Sequence, residues 1–263
     1  MQAQLDITSA SNPKIKWLQR LHKPAFRKAE AVIVIEGKKE ITAAVQAGFR
    51  LEQLFVAPEI HTDPDTFPAH KTYTVSKEIF AKIAYRDNSD GLIAIANMPA
   101  PTLQDLVLKE VPLLLVIEAV EKPGNLGAII RTADGVGADA VIICDERCDI
   151  WNTNVIRASV GTVFTTPTVT APKEAVRAYL QKQRVAVFAA ELTSQAVEYS
   201  QADFTKPTAI VVGAEHEGVS DFWLEQAQHV EIPMLGKNNS LNVSVATAVI
   251  AYEALRQRRN NTL

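Results

Sequence analysis

The chain has 263 residues, 47% of them hydrophobic and 22% charged, which suits one large soluble domain or two modest ones. No stretch approaches the roughly 20 apolar residues of a membrane span, and the first residues lack the apolar run of a secretory leader. The two cysteines, Cys144 and Cys148, are too few for a disulfide framework or a four-ligand zinc site, so a reduced, cytoplasmic protein without a metal is expected. The net charge of −3 hides an asymmetry, because residues 1–50 carry nine Lys/Arg against four Asp/Glu. A basic leading segment on an acidic body points to a polyanion-facing element.

In chain order, "NPKIKWLQRLHKPAFRKA" (12–29) predicts a short basic helix, capped by Asn12 with Pro13 in its first turn and broken at Pro24. "AVIVI" (31–35) predicts a buried strand, and "KKEITAAVQAG" a helix closed by Gly48. A strand at "LEQLFVA", a helix near "SKEIFAKIAY" and a strand at "GLIAIANM" complete a βαβαβ series over 31–98. Residues 99–112, "PAPTLQDLVLKEVP", hold three prolines and read as a linker, partly helical at "LQDLVL". The expected division is therefore 1–98, a linker at 99–112, and 113–263.

The second series opens with "LLLVIEAV", a continuous apolar run as expected for a strand covered on both faces. Helix then follows at "NLGAIIRTADGVG", strand at "AVIICD", helix at "NTNVIRASVGTV" and at "KEAVRAYLQKQ", and strand at "VAVFAAEL" and "TAIVVGAE". "DFWLEQAQ" reads as helix, "VEIPM" as a short strand, and "SLNVSVATAVIAYEALRQRR" as a long final helix. On that helix Leu241, Val245, Val249 and Tyr252 fall on roughly one face, with Ala246, Ala248 and Ala251 allowing close packing.

Ligands of parallel α/β sheets bind at the carboxyl ends of strands, and three segments there are unusual. In "EAVEKPGNLGAIIRTAD", Gly124 and Gly127 bracket Asn125 at a helix start, and Arg131 interrupts an apolar helix where a guanidinium needs partners. The later "GVGAD" precedes a strand, so a dinucleotide fingerprint is rejected. "IVVGAEHEGVSDFW" runs a strand straight into Gly213, with Glu215, Glu217 and Gly218 behind it. "IPMLGKNNSLNVSVATAVI" gathers three asparagines and two serines before the last helix; Ser240 or Asn242 can cap it, but capping does not account for the whole set.

Taken in order, "PGNLGAIIRTAD", "GAEHEG" and "IPMLGKNNSLNVSVA" resemble the three motifs of the SpoU (TrmH-like) family of SPOUT RNA methyltransferases. The resemblance covers about 113–258, and "SASNPKIKWLQRL" with "IVIEGKKEI" is similar to the substrate-binding domain of two-domain members. It implies an α/β fold: a C-terminal SPOUT domain with a trefoil-knotted, mainly parallel sheet, plus a smaller N-terminal α/β substrate-binding domain. It also implies a homodimer through the knotted domain, for which the alanine-rich face of the last helix is a candidate contact.

The implied reaction is methyl transfer from S-adenosylmethionine to a ribose 2′-hydroxyl, with ribosomal RNA favoured, no membrane and no metal; the alternatives are a tRNA 2′-O-methyltransferase or a non-catalytic RNA-binding or ribosome-assembly protein of the same fold. The residues carried over for chemistry are Asn125, Arg131, Glu215, Ser240 and Asn242. Arg131 would gather phosphate and ribose; a guanidinium is a poor base, so the role expected is positioning. Gly213, Ile232 and Leu241, with Leu192, Gly218 and Met234, are the positions expected to hold the cofactor. Lys14, Lys16, Arg20, Arg27, Lys28 and Lys38 form the basic segment expected to face RNA.

Overall fold

The computed structural model describes residues 4–63, 67–215 and 217–260. The chain divides into two compact units, Met1–Pro99 with Trp151–Thr165, and Ala100–Ile150 with Thr166–Leu263.

The first unit runs β1 (Gln4–Ile7), α1 (Pro13–Arg20), α2 (Pro24–Glu30), β2 (Val32–Glu36), α3 (Lys38–Gln46), β3 (Leu51–Val56), β4 (Ala69–Val75), α4 (Lys77–Ile83) and β5 (Leu92–Asn97). Local chemistry sets the ends of the helices. The Asn12 side chain accepts from the Lys14 amide 2.8 Å away, Pro13 occupies the first turn of α1, and Ser76 accepts from the Ile79 amide to start α4. The sheet order is β1-β4-β3-β5-β2, with β5 antiparallel to both neighbours and the other pairs parallel. Ile15, Leu18, Phe55, Phe80, Ile83 and Ile93 centre its core. β1 and β4 are additions to the βαβαβ expectation. β4 reads "AHKTYTV", whose polar residues alternate with half-buried and buried ones, so it lacks the apolar run that marks β2 or β5.

The second unit begins with β6 (Leu113–Glu118), α5 (Pro123–Val136) and β7 (Ala140–Cys144). Trp151–Thr165, with α6 (Thr153–Ala158), then packs in the first unit. There α6 lies on the edge strand β2, and the Phe49 ring packs edge-on against Trp151 and Phe164. The second unit resumes with β8 (Thr168–Thr170), α7 (Lys173–Lys182), β9 (Ala186–Ala190), β10 (Val197–Glu198), β11 (Thr208–Val212), α8 (Asp221–Leu224), β12 (Gln228–Glu231) and α9 (Val243–Asn260). Its sheet order is β10-β12-β9-β11-β6-β7-β8, and every pairing is parallel. β6, β7 and β11 are buried at every position, as strands covered on both faces must be.

Three expectations for this unit need correction. β12 ends at Glu231, so Ile232, Pro233 and Met234 lie beyond the strand; Pro233 has no amide to continue a ladder. The helix at "DFWLEQAQ" is the four-residue α8. The inward face of α9 is Thr247, Ile250, Ala251 and Ala254, packed toward α5 and β11, whereas Val245 and Tyr252 are exposed. Ala251 therefore serves the chain's own core and does not share a face with Tyr252.

Candidate active site

α5 starts without a side-chain cap, with Lys122 before it and Pro123 in its first turn. Its first turn is therefore a place where backbone N–H groups favour a carboxylate. The Glu215 carboxylate meets a side chain of that turn. The Asn125 Nδ2 donates to Glu215 Oε1 at 2.6 Å. The Asn125 Oδ1 in turn accepts from Asn242 Nδ2 at 3.2 Å, and Asn242 Oδ1 accepts from both the backbone N–H (3.0 Å) and the hydroxyl (2.7 Å) of Ser244. One hydrogen-bonded chain, Ser244–Asn242–Asn125–Glu215, thus joins three segments that are far apart in sequence. Burial works against ionisation of Glu215, but its own backbone amide, the Asn125 amide, the Glu121 amide and Lys122 outweigh it and hold the carboxyl below its usual pKa.

The loop after β11 is built around a close backbone approach. A Cβ at Gly213 would lie inside the Gly218 carbonyl, and Ala214 bridges to Gly218. Gly218 has φ +70° and a side chain there would collide with the Glu191 carboxylate. The Arg147 guanidinium bridges Glu121 at 2.8 Å and Glu217 at 3.0 Å.

Apolar side chains follow the carboxyl ends of β9 and β12 and precede α9. Leu192, just past β9, is 65% exposed; beyond β12, Ile232 and Met234 are half-buried; Leu241, before α9, is 38% exposed. Gly213 is buried and Gly218 half-buried. The remaining site expectations are not drawn into the hydrogen-bonded chain. Ser240 is exposed, and Asn242 makes the capping bonds at the start of α9. Arg131 is exposed on α5, with no hydrogen bond or ion pair to another described residue, while its neighbours Ile129, Ile130 and Ala133 are fully buried.

The basic segment divides. Lys16, Arg20 and Lys28 are exposed, with the Arg20 guanidinium 4.0 Å above the Phe26 ring. Lys14 is half-buried, 4.6 Å over the Trp17 ring; burial and then Lys71 lower its pKa. Arg27 must be corrected as an RNA contact, since it is 2% exposed and donates to the carbonyls of Leu21 (2.8 Å) and His22 (3.1 Å). Its guanidinium braces the turn between α1 and α2. The Lys38 ammonium pairs with Asp63.

The sequence reading missed Glu118, Glu191, Arg147 and Ser220. A signal existed for two of them. Glu118 ends a strand otherwise made of Leu, Val and Ile, and Glu191 directly follows β9, so both stand at carboxyl ends of parallel strands.

The fold and site define a two-unit α/β protein with its polar cluster at the carboxyl edge of an all-parallel sheet. The same architecture occurs in the crystal structure of an RNA 2′-O ribose methyltransferase, 40% identical, with a TM-score of 0.84 over 97% of this chain and 100% of that one. It also occurs in an AdoMet-bound rRNA methyltransferase from Sinorhizobium meliloti, 27% identical, with a TM-score of 0.87 over 96% and 98%. Residues 112–252 match the SpoU rRNA Methylase family and residues 12–94 an MRM3-like substrate binding domain; the chain belongs to the SpoU family. Among its relatives is the 23S rRNA (guanosine(2553)-2′-O)-methyltransferase RlmP of Bacillus subtilis (strain 168), 30% identical over 94% of this chain and 97% of that protein.

Proposed function

We propose that this protein methylates a ribose 2′-hydroxyl in ribosomal RNA, using S-adenosylmethionine. The observation that carries the reading is the Ser244–Asn242–Asn125–Glu215 chain, which assembles all three motif segments at one edge of the sheet. The residues present fit the cofactor. Gly213 lets the chain fold back against Gly218 at the end of β11, and Leu192, Ile232 and Met234 beyond strand ends, with Leu241 before α9, offer the apolar surface that an adenine face requires.

When bound, the cofactor supplies a methyl group already activated on a sulfonium. What remains for the protein is to hold the acceptor in line and shield it from water. Arg131 presents an exposed fork of N–H donors to a ribose-phosphate, and Asn125, Glu215, Ser240 and Asn242 orient the hydroxyl. A guanidinium is a poor base, so Arg131 positions and neutralises and does not take the proton. Lys14, Lys16, Arg20 and Lys28 extend the contact to RNA backbone.

The same reading includes a homodimer and a trefoil knot in the second unit, 113–263 in the sequence division. In support of the first, Val245 and Tyr252 on α9, with Leu241 just before it, are exposed apolar side chains. In support of the second, β12 is inserted between β9 and β10 and α9 returns to α5 and β11. A cytoplasmic setting accords with two buried free cysteines and an RNA substrate.

Mapping of 2′-O-methyl groups in rRNA and tRNA, with and without the gene, tests the function. Loss of one rRNA mark supports it, and an unchanged map overturns it. A tRNA substrate is the second reading, since the tRNA (guanosine(18)-2′-O)-methyltransferase of Escherichia coli (strain K12) is 38% identical over 59% of this chain and 68% of that one. Loss of a tRNA mark alone would select it.

A further inference from the structure

We propose that Glu191 and Glu118 are positioning residues that clamp Val219 and Ser220, behind the close pass of Gly213 by Gly218, in a cofactor-receiving shape from the two strands flanking β11. The inference deepens the reading above and rests on it for the identity of the cofactor. In the sheet, β11 lies between β9 and β6. Glu191 directly follows β9, and Glu118 is the last residue of β6. The Val219 amide donates to Glu191 Oε2 at 2.8 Å. The next amide, Ser220 N, donates to Glu118 Oε2 at 2.8 Å, and the Ser220 hydroxyl donates to Glu118 Oε1 at 2.6 Å. Two consecutive amides therefore end on carboxylates from opposite sides of their own strand.

The requirement is physical. After the close pass of Gly213 by Gly218, the chain must enter α8, and Ser220 at its N-cap makes no capping bond with its own side chain. Carboxylates make bonds to such amides roughly twice as strong as neutral acceptors do. Burying Glu118 in a strand of aliphatic residues is costly unless the charge is satisfied. The Ser220 bonds satisfy it, together with Lys173, whose ammonium lies 3.8 Å from Glu118 and 3.0 Å from Asp145. Among the described residues, no hydrogen bond joins Glu118 or Glu191 to Asn125, Glu215 or Asn242. They act through the loop that carries Gly213 and Glu215.

The test is calorimetric titration of the full-length protein with S-adenosylmethionine, paired with amide exchange at Val219 and Ser220 in the cofactor-free state. A loop that holds its binding shape only part of the time weakens affinity by that fraction. Glu191→Ala should weaken cofactor binding about tenfold or more, the usual scale for losing a bond to a charged group. Glu191→Gln, which still accepts from Val219, should recover most of it. Ser220→Ala removes only the hydroxyl bond and should weaken binding about threefold. In Glu191→Ala, exchange at both amides should quicken, and the loss should fall on cofactor affinity more than on kcat. Wild-type affinity in both Glu191→Ala and Ser220→Ala, with melting showing both folded, would overturn the clamp. So would a kcat loss at unchanged affinity. Failure of the wild-type protein to bind the cofactor would overturn the functional reading instead, and amide exchange would still decide the clamp.

Discussion

In the first turn of α5, Asn125 donates to Glu215 and accepts from Asn242; farther along the same helix, Arg131 stands exposed with no bond to a described residue. The two positions are about 9 Å apart along the axis at 1.5 Å per residue. One is tied before any ligand arrives. The other is held only through its buried neighbours Ile129, Ile130 and Ala133. Preorganised groups shape a site without reorganising during the reaction, whereas an exposed guanidinium on a rigid helix keeps its donors for a ligand that brings its own charge. The contrast recurs in the first unit, where Arg27 is tied into the fold and Lys16 and Arg20 are left at the surface.

The largest expected effect breaks the free side of that comparison. Arg131→Ala should lower methyl transfer by about 10²–10³-fold, the scale of losing one transition-state donor. Its stability should stay within about 0.5 kcal/mol of wild type, as for an exposed position. Arg131→Lys keeps charge and loses the fork, so near-normal turnover in that variant would remove the bidentate role.

Next comes a tied cation. Arg27→Ala leaves the Leu21 and His22 carbonyls without their donor and should cost about 3 kcal/mol in denaturant unfolding. The RNA affinity of the folded protein should be unchanged; a selective loss of affinity would return Arg27 to the RNA surface.

A middle-sized effect is expected at the tied turn. Asn125→Ala should reduce turnover about tenfold, with most of the loss in cofactor or RNA binding. It should also let the Glu215 pKa rise, since the Asn125 amide helps hold it down. The sign follows from linkage. A carboxyl whose pKa is lower folded than unfolded stabilises fully above its unfolded value and loses that contribution as pH falls through the folded one. Unfolding measured between pH 7 and pH 3 should therefore show a shallower acid decline in Asn125→Ala, beginning near the ordinary value of 4.5. Identical acid limbs would uncouple Asn125 from Glu215.

The smallest effects sharpen the surface side. Lys16→Ala and Arg20→Ala should each weaken RNA binding alike across sequences and lower the salt slope by about 0.7–0.9 for each phosphate no longer neutralised. Filter binding across salt concentrations reads this directly, and an unchanged slope would place that side chain off the RNA.

Much of this was legible in the chain itself. The apolar runs of β6, β7 and β11 announce strands covered on both faces, because only such strands dispense with a polar side. Asn12 at the start of α1 was readable because caps act within two or three residues, and for α9 the same rule narrowed the cap to Ser240 or Asn242, of which Asn242 makes the bond. β1 and β4 were not readable, since polar residues intersperse their buried positions and partner strands supply the pairing. Nor was the placement of α6, whose sequence falls inside the second series but which packs in the first unit.

By itself the sequence determined the long helices, the apolar strands and the three motif segments, because propensity, capping and periodicity are local, while the less apolar strands β1, β4, β8 and β10 came only with the fold. Only the tertiary structure decided which of the motif residues meet. Asn125, Glu215 and Asn242 come together because α5, β11 and α9 converge at one edge of the sheet. Arg27 turned inward and Arg131 stayed outside, although both are arginines on helices. The break between α1 and α2 turns the Leu21 and His22 carbonyls, six and five residues back, onto the Arg27 guanidinium, whereas Arg131 on the continuous helix α5 meets no such acceptor among the described residues.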